Sequence, residues 1–302
     1  MTPTARFQCP LCGGVRAREL AGDAAVLRTM FSKSHPVRCE DCSLAVLHPI
    51  PSPSETSGLY EADYFGAYDE ADIDMPTEVE AMGSRYERRL AVPDGTLPGR
   101  VLDVGVGHGT FLGLAKRKGW EALGIDVSRH AALQARQRYG VDVAVCDDIA
   151  VAGFAENHFD LVHLSHSLEH MPNPLQALSE IRRILRPRGK VVIEVPNELE
   201  NLHVRLHDAL GLKRAPYPVR STHIFFFNPA TLRGHLVAAG FGKVRLRTFR
   251  DPTDRRHLRS LVKRVAGAVE YALAMGPLIE AHAQKPARAG DEADLPGRSR
   301  LN

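Results

Sequence analysis

Nowhere does the chain reach the ~18 consecutive apolar residues that a membrane-spanning helix requires, so no transmembrane segment is expected. The N-terminus, MTPTARFQCPLCGG, lacks the apolar core of a secretory signal. A large charge imbalance is missing too. Lys and Arg (39) nearly match Asp and Glu (36), and the net charge of +3 argues against nucleic acid as the main partner. No internal repeat is present, which argues against a solenoid. Cysteine is sparse, five in 302 residues, and four of the five fall in two C-x-x-C pairs. That usage suits metal in a reducing compartment better than a disulfide framework, so a cytoplasmic location is expected.

What is present is the composition of an ordinary globular protein, with 25% charged and 44% apolar residues. The length suits one large α/β domain with a small appendage. The organising stretch is Val101–Leu112, VLDVGVGHGTFL. Val101, Leu102 and Val104 read as a short buried strand, and a helical pattern begins near Thr110. Between them, Gly105, Gly107 and Gly109 permit a tight turn and leave no Cβ between backbone and ligand. A strand, a glycine turn and a helix start place a ligand at the carboxyl edge of a parallel sheet.

The N-terminal part holds Cys9-Pro-Leu-Cys12 and, 26 residues on, Cys39-Glu-Asp-Cys42. Four thiolates in two such knuckles suit a closed, structural Zn²⁺ site, here in a zinc-ribbon-like module over residues 1–50. Residues 51–99 read as a linker, PIPSP, followed by an aromatic cluster (Tyr60, Tyr64, Phe65 and Tyr68), an acidic stretch expected to be irregular, and a helix over Glu78–Leu90. The aromatic cluster either packs the small module onto the main domain or forms a flap over the ligand.

From residue 100 strands and helices alternate. Strands are expected at Val101–Val104, Glu121–Val127, Val141–Cys146, Phe159–Leu164 and Lys190–Val195. Helices are expected at Thr110–Lys118, after an N-cap at Ser128, and over Asn173–Leu185. Residues 197–227, with His203, His207 and His223, interrupt the alternation and are expected to cover the crevice. Asn228 caps a further helix, Phe241–Phe249 is a sixth strand, and Pro277–Ala283 a last one. Leu258–Met275 reads as an amphipathic helix able to dock on a second subunit or a membrane surface. Residues 286–302 read as a disordered tail.

The strand ends carry the chemistry. Asp126, 23 residues after Asp103, is placed for a ribose diol, with Val127 beside it. Asp147 or Asp148 can take an exocyclic amine of adenine, and Ile149 can contact the ring. Ser165 begins the loop SHSLEHMP after the fourth strand. His166, His170 and His223 are the candidate general bases, with Glu169 to orient them. His166–His170 also spells H-x-x-E-H, an inverted zinc-peptidase spacing. That motif needs one long helix, and Pro172 and Pro174 forbid it here.

The glycine motif lacks the G-x-x-G continuation of a dinucleotide-binding dehydrogenase. The whole combination resembles the class I S-adenosylmethionine-dependent methyltransferases over about residues 100–285, through VLDVGVGHGTFL, GIDVS, CDDI, FDLVHLSHSLEHMPNP and ILRPRGKVVIEVPN. The N-terminal cysteines and LYEADYF resemble the cysteine-rich zinc-binding module that precedes this domain in one bacterial subgroup. The resemblance implies a Rossmann-like, seven-stranded sheet whose last strand is antiparallel. It implies that Asp103, Gly105, Gly107 and Gly109 hold the methionine portion of S-adenosylmethionine, Asp126 the ribose, and Asp147 or Asp148 the adenine. No N-P-P-Y or D-P-P-Y follows the fourth strand, which argues against amino-methylation of nucleic acid or glutamine. The chain also has too few residues after the sheet for the extra domain of the related sugar C-methyltransferases. The expected acceptor is a small or medium polar molecule, with O-methylation of a sugar, glycan or secondary metabolite first. C- or N-methylation of a metabolite is the alternative. The rival class is a nucleic-acid- or protein-binding module with a zinc ribbon, drawn from Arg245, Arg247, Arg250, Arg255, Arg256, Arg259, Lys263 and Arg264, residues that a solvated helix face explains more plainly.

Overall fold

The computed structural model describes residues 6–20, 29–57, 75–91, 97–211, 222–250, 270, 273 and 275–287. The aromatic cluster at 60–68, residues 212–221 of the crevice-covering segment, nearly all of the 258–275 helix and the 288–302 tail lie outside them.

The main sheet has seven strands: β4 (Arg100–Val104), β5 (Glu121–Asp126), β6 (Asp142–Val145), β7 (Phe159–Ser165), β8 (Leu185–Pro196), β10 (Gly242–Phe249) and β11 (Leu278–Gln284). Their order is β10-β11-β8-β7-β4-β5-β6. Strands β6, β5, β4, β7 and β8 pair in parallel, whereas β11 is antiparallel to both β8 and β10. This is the expected sheet with its last strand reversed. The order reverses at β4, where chain crossovers leave to opposite sides, the point at which sheets of this kind characteristically take ligands at their carboxyl ends.

Alternate residues of each strand face opposite layers. Val101, Leu161 and Val192 pack with Phe111, Leu112, Ala115 and Ala135 on one face. Those partners lie on α3 (Thr110–Arg117) and α4 (Arg129–Tyr139). Leu102, Val162, Val191 and Ile193 face Leu178, Ile181, Leu232 and Leu236 on the other, carried by α5 (Pro174–Ile184) and α7 (Pro229–Ala238). The helix starts are built as expected. Ser128 accepts from the Ala131 amide, Asn173 from Gln176, and Asn228 forms a capping box with Thr231. The helix expected at Glu78–Leu90 is α2 (Met75–Arg89); it starts earlier because Pro76 is tolerated in a first turn. The fifth strand also starts earlier than expected, pairing Leu185 with Phe159 across an irregular stretch before Lys190.

A second sheet joins the cysteine segment to the rest. Strands β1 (Ala17–Glu19), β2 (His35–Cys39) and β3 (Ala45–His48) form an antiparallel run. Its fourth strand, β9 (Phe225–Phe226), comes from beyond the main sheet's fifth strand and pairs with Ala45 and Val46. Leu44–Leu47 and Ile224–Phe227 are buried in the same apolar cluster as α5 and α7. Two short elements complete the described chain, α1 (Pro53–Ser57) and α6 (Leu202–Ala209). No helix among the described residues is long and apolar enough to cross a membrane.

The α2 face of the main sheet buries charge. Glu194 on β8 and Glu280 on β11 are neighbours in register, both about 1% exposed. Two adjacent buried carboxylates repel, and arginines of α2 resolve the conflict. Arg89 donates from Nε to Glu280 at 2.8 Å and pairs with Glu194 through its terminal nitrogen. Arg85 reaches both oxygens of Glu194, at 2.9 and 2.8 Å. Arg89 also meets Nε2 of His163 at 2.9 Å, and Nδ1 of that ring meets Asp103 at 2.7 Å. An arginine can only donate, so His163 accepts at Nε2 and donates from Nδ1 to Asp103 as a neutral ring. Burial pushes the His163 pKa down, in accord with that state.

This cluster makes stability depend on acid. Burial raises the Glu280 carboxyl, but His282 and Arg89 outweigh it and bring it down to about 2, and Glu194 is likewise lowered. A depressed folded pKa contributes stability that is complete above the unfolded value and lost as pH falls towards the folded one. Stability against denaturant is expected to fall progressively below about pH 4.5, the region where free glutamate titrates. Glu280→Gln is expected to lose roughly 3 kcal/mol at pH 7 and to flatten that acid slope.

Candidate functional site

The glycine turn after β4 is drawn tight by its own backbone. Gly105, Gly107 and Gly109 have φ of 81°, 51° and 78°. These values favour a residue without Cβ. Gly105 donates to the Ile125 carbonyl at 2.9 Å, which ties the turn to β5. A Cβ at Gly105 would lie 2.7 Å from Cβ of Ser167, and the Ser167 hydroxyl donates to the Val104 carbonyl at 2.8 Å. The loop after β7 is thus seated directly on the turn.

Asp126 closes the turn from the β5 side. Its carboxylate accepts from the Gly107 amide at 3.0 Å and from the Ser128 amide at 2.8 Å. Burial pushes this carboxyl up, and the amides of Ser128 and Gly107 oppose it. A carboxylate has about four lone-pair positions, so two bonds leave capacity for a diol. Val127 beside it is half-buried. After β6, Asp147 is exposed, Asp148 is half-buried and accepts from the Ala150 amide at 2.9 Å, and Ile149 is buried. Asp103 is turned elsewhere. It is 3% exposed, and its carboxylate is engaged by His163 on the α2 face.

The loop after β7 carries the reactive side chains. Ser165 is half-buried, its hydroxyl 3.3 Å from Glu194 Oε1. His166 has φ of 53°, an uncommon conformation for a residue with a Cβ. Its ring stands between two carboxylates, Nδ1 at 3.6 Å from Glu169 and Nε2 at 3.3 Å from Glu194, with 47% of the side chain exposed. Burial lowers its pKa, but those carboxylates outweigh it and raise the value. His166 is therefore held as the imidazolium at neutral pH, a state that donates rather than accepts a proton.

Leu168–His170 form one 3-10 turn. Glu169 within it is fully buried. Burial pushes its carboxyl up, and His166, His170 and His223 together bring it below its usual range. The ring of His170 meets that of His223 at 4.7 Å between centroids. Burial pushes His170 down to about 4, so that ring is neutral at pH 7. His223 is also lowered by burial, but its partner Glu198, 3.0 Å from Nδ1, raises it overall. The chain at 222–224 brings His223 to the loop after β7, through the hydrogen bond from the Ile224 amide to the Glu169 carbonyl at 2.9 Å. His203 and His207 pair with each other on α6 instead.

The cysteines converge. Sγ of Cys9 and Cys42 are 3.5 Å apart and those of Cys12 and Cys39 3.6 Å, too long for disulfides. All four sulfurs lie within 4.8 Å of one another. Sulfurs bound at about 2.3 Å around a tetrahedral ion stand about 3.8 Å apart, so the four sulfurs fit Zn²⁺. Sequence reasoning missed Arg85, Arg89, Glu194, Glu198 and Glu280. The signal for Glu194 and Glu280 was there, a lone carboxylate in each of two largely apolar strands, VVIEVP and LIEAHA.

Comparison with known proteins agrees with this architecture. Residues 77–246 match the family model described as a methyltransferase domain. The chain is 36% identical over 145 residues to demethylmenaquinone methyltransferase of Renibacterium salmoninarum, covering 47% of this chain and 58% of that protein. It is 36% identical over 104 residues to a ubiquinone biosynthesis O-methyltransferase of Alkalilimnicola ehrlichii, covering 32% and 42%. The chain spans about half the length of these relatives. In fold it is similar to the crystal structure of a SAM-dependent methyltransferase from Archaeoglobus fulgidus, with a TM-score of 0.54, 24% identity, and coverage of 74% of this chain and 100% of that one.

The turn geometry makes an ordered prediction. Both Gly105 and Gly107 have positive φ, but nothing lies within 4 Å of a Cβ at Gly107. Gly107→Ala is expected to cost about 1 kcal/mol in denaturant unfolding and Gly105→Ala roughly 2–3 kcal/mol, because only the second also displaces Ser167. Equal costs would show that the loop after β7 does not seat on the turn.

Proposed function

The chain belongs to the methyltransferase domain family, and from that premise we propose that it transfers a methyl group from S-adenosylmethionine to the oxygen of a small or medium polar acceptor, a sugar, glycan or secondary metabolite. The observation that carries the reading is the junction of Asp126 with the Gly107 amide at the carboxyl ends of β4 and β5. It places a buried carboxylate and a Cβ-free backbone side by side, as a nucleoside joined to an amino-acid tail requires.

In this reading Gly105, Gly107 and Gly109 line the methionine portion, with Asp103 locked behind them. Asp126 and Val127 face the ribose. Asp147 or Asp148, with Ile149, faces the adenine, and Ser165 borders the reacting end. When bound, the cofactor supplies an activated methyl on a sulfonium with a neutral leaving group. Alignment supplies much of the acceleration in such a transfer. Activation of an acceptor hydroxyl is assigned to Glu169, His170 and His223 rather than to the imidazolium of His166. The O-methyltransferase named among the relatives supports oxygen as the acceptor atom.

Cys9, Cys12, Cys39 and Cys42 would hold one structural Zn²⁺. All four donors are thiolates, so the site is closed to substrate. The ion would fix the sheet whose last strand delivers His223.

Two measurements test these assignments. Calorimetry is expected to show S-adenosylmethionine and its demethylated product binding to the wild-type chain, and about 10–100-fold weaker binding to Asp126→Ala, the loss of charge-assisted hydrogen bonds. Failure of the wild type to bind either ligand would refute the reading. Thiol modification is expected to release one tightly held zinc per chain and to lower the melting temperature, and an unchanged melt would remove the structural role.

A further inference from the structure

On the α2 face of the main sheet, beyond Glu280, positive charge collects without relief. A cavity of about 290 Å³ is lined by Arg88 and Arg89 of α2, Arg245 and Arg247 of β10, and Glu280 and His282 of β11. Strand alternation puts Arg245 and Arg247 on one face of β10, and the register sets them beside His282 and Glu280. His282 in turn lies beside Val192 of β8, two residues before Glu194. The Arg245–His282 pair is therefore further from the carboxyl ends of the parallel strands than the glutamates are.

Four guanidinium groups meet at this cavity, and the one carboxylate that lines it is already engaged. Oε2 of Glu280 accepts from Arg89 Nε at 2.8 Å and from a terminal nitrogen of the same side chain at 2.6 Å. Oε1 accepts from Arg247 Nε at 2.8 Å and from its terminal nitrogen at 2.6 Å, and lies 3.0 Å from Nε2 of His282. A carboxylate has about four lone-pair positions, so Glu280 has none left for a further cation. Arg88 and Arg245 are exposed, and among the described residues neither has a hydrogen-bond or ion-pair partner. Like charges gathered in one place cost stability unless a counter-charge meets them. Charge on an edge strand deters edge-to-edge pairing, which accounts for Arg245. That reason does not extend to Arg88, which reaches the same cavity from a helix.

We propose that this cavity binds the phosphoryl group of a small phosphorylated molecule. The guanidinium fork matches the oxygens of a phosphate and pairs with two of them at once. Arg88 and Arg245 bring two such forks, and Arg247, with five N–H donors, keeps some beyond those it gives to Glu280. The volume is near the lower bound of small-molecule pockets, roughly 300 Å³, and suits a compact ligand. Nucleic acid is held along a basic stripe that neutralises many phosphates, whereas these arginines surround one cavity. The ligand would be seated on the buried charge cluster, because Arg89 and Arg247 also hold Glu280. The site does not rest on the methyl-transfer reading.

The test is calorimetric titration of the full chain with inorganic pyrophosphate at about 0.15 M salt, where loosely held charge is screened. One pyrophosphate per chain is expected to bind and to raise the melting temperature. Arg88→Ala and Arg245→Ala are each expected to weaken binding about 10–100-fold, the loss of charge-assisted hydrogen bonds. Both side chains are exposed, so both variants are expected to fold. Arg117→Ala removes an exposed arginine of α3 and is expected to bind as the wild type does. No saturable binding by the wild type would overturn the site, as would unchanged affinity in both cavity variants or equal weakening in Arg117→Ala. A single-stranded RNA oligonucleotide that binds more tightly than pyrophosphate, and is lost in the same variants, would overturn the small ligand in favour of nucleic acid. S-adenosylmethionine carries no phosphate and is expected to bind both cavity variants as it binds the wild type. Loss of pyrophosphate binding alone removes this site, and failure to bind S-adenosylmethionine alone removes methyl transfer.

Discussion

The peptide of Ile224 is hydrogen-bonded on both sides, and the cysteine-bearing sheet meets the loop after β7 there. Its carbonyl accepts from the Leu47 amide in the cysteine-bearing sheet, and its amide donates to Glu169 in the turn after β7, both at 2.9 Å. One residue along, Phe225 and Phe226 complete that sheet as its edge strand. One residue back is His223. The side chain that reaches the crevice is therefore positioned by a strand whose partner lies some 180 residues earlier in the chain. Arg38 strengthens the same seam by pairing with Glu200 at 2.5 Å, and Asn228 donates to that carboxylate at 3.0 Å.

The opposite face of the main sheet works by a different constraint. Asp103, His163, Glu194 and Glu280 bring buried charge and polarity across four neighbouring strands, β4, β7, β8 and β11. Such groups are tolerated only when each is met by a partner, and α2 supplies Arg85 and Arg89. The cluster extends into the crevice, because Glu194 also meets Ser165 and His166. The arginines of α2 thus help keep Glu194 ionised, and Glu194 is one of the two carboxylates that raise His166.

Much of the fold was legible in the sequence because its signals are local. Strand–helix alternation, the N-caps at Ser128 and Asn228 and the three glycines each act within a few residues. The place of Asp126 beside the glycine turn was legible for the same reason, since it stands at the end of an apolar strand a short distance after that turn. The roles of the histidines were not legible. His166 reads as a base from its position, yet two carboxylates from separate elements hold it charged. Asp103 reads as part of the ligand turn, yet it spends its carboxylate on His163.

The sequence by itself determined the alternation of strands and helices, the glycine turn after β4 and the two C-x-x-C pairs, since periodicity, backbone conformation and residue spacing are properties of neighbouring residues. Only the tertiary structure decided that β9 joins the cysteine sheet, that Arg89 lies between two glutamates, and that Glu169 faces His170 and His223. Those outcomes depend on which groups are brought within a few ångströms of one another and shielded from water. A linear pattern carries no measure of that distance or of the dielectric around it.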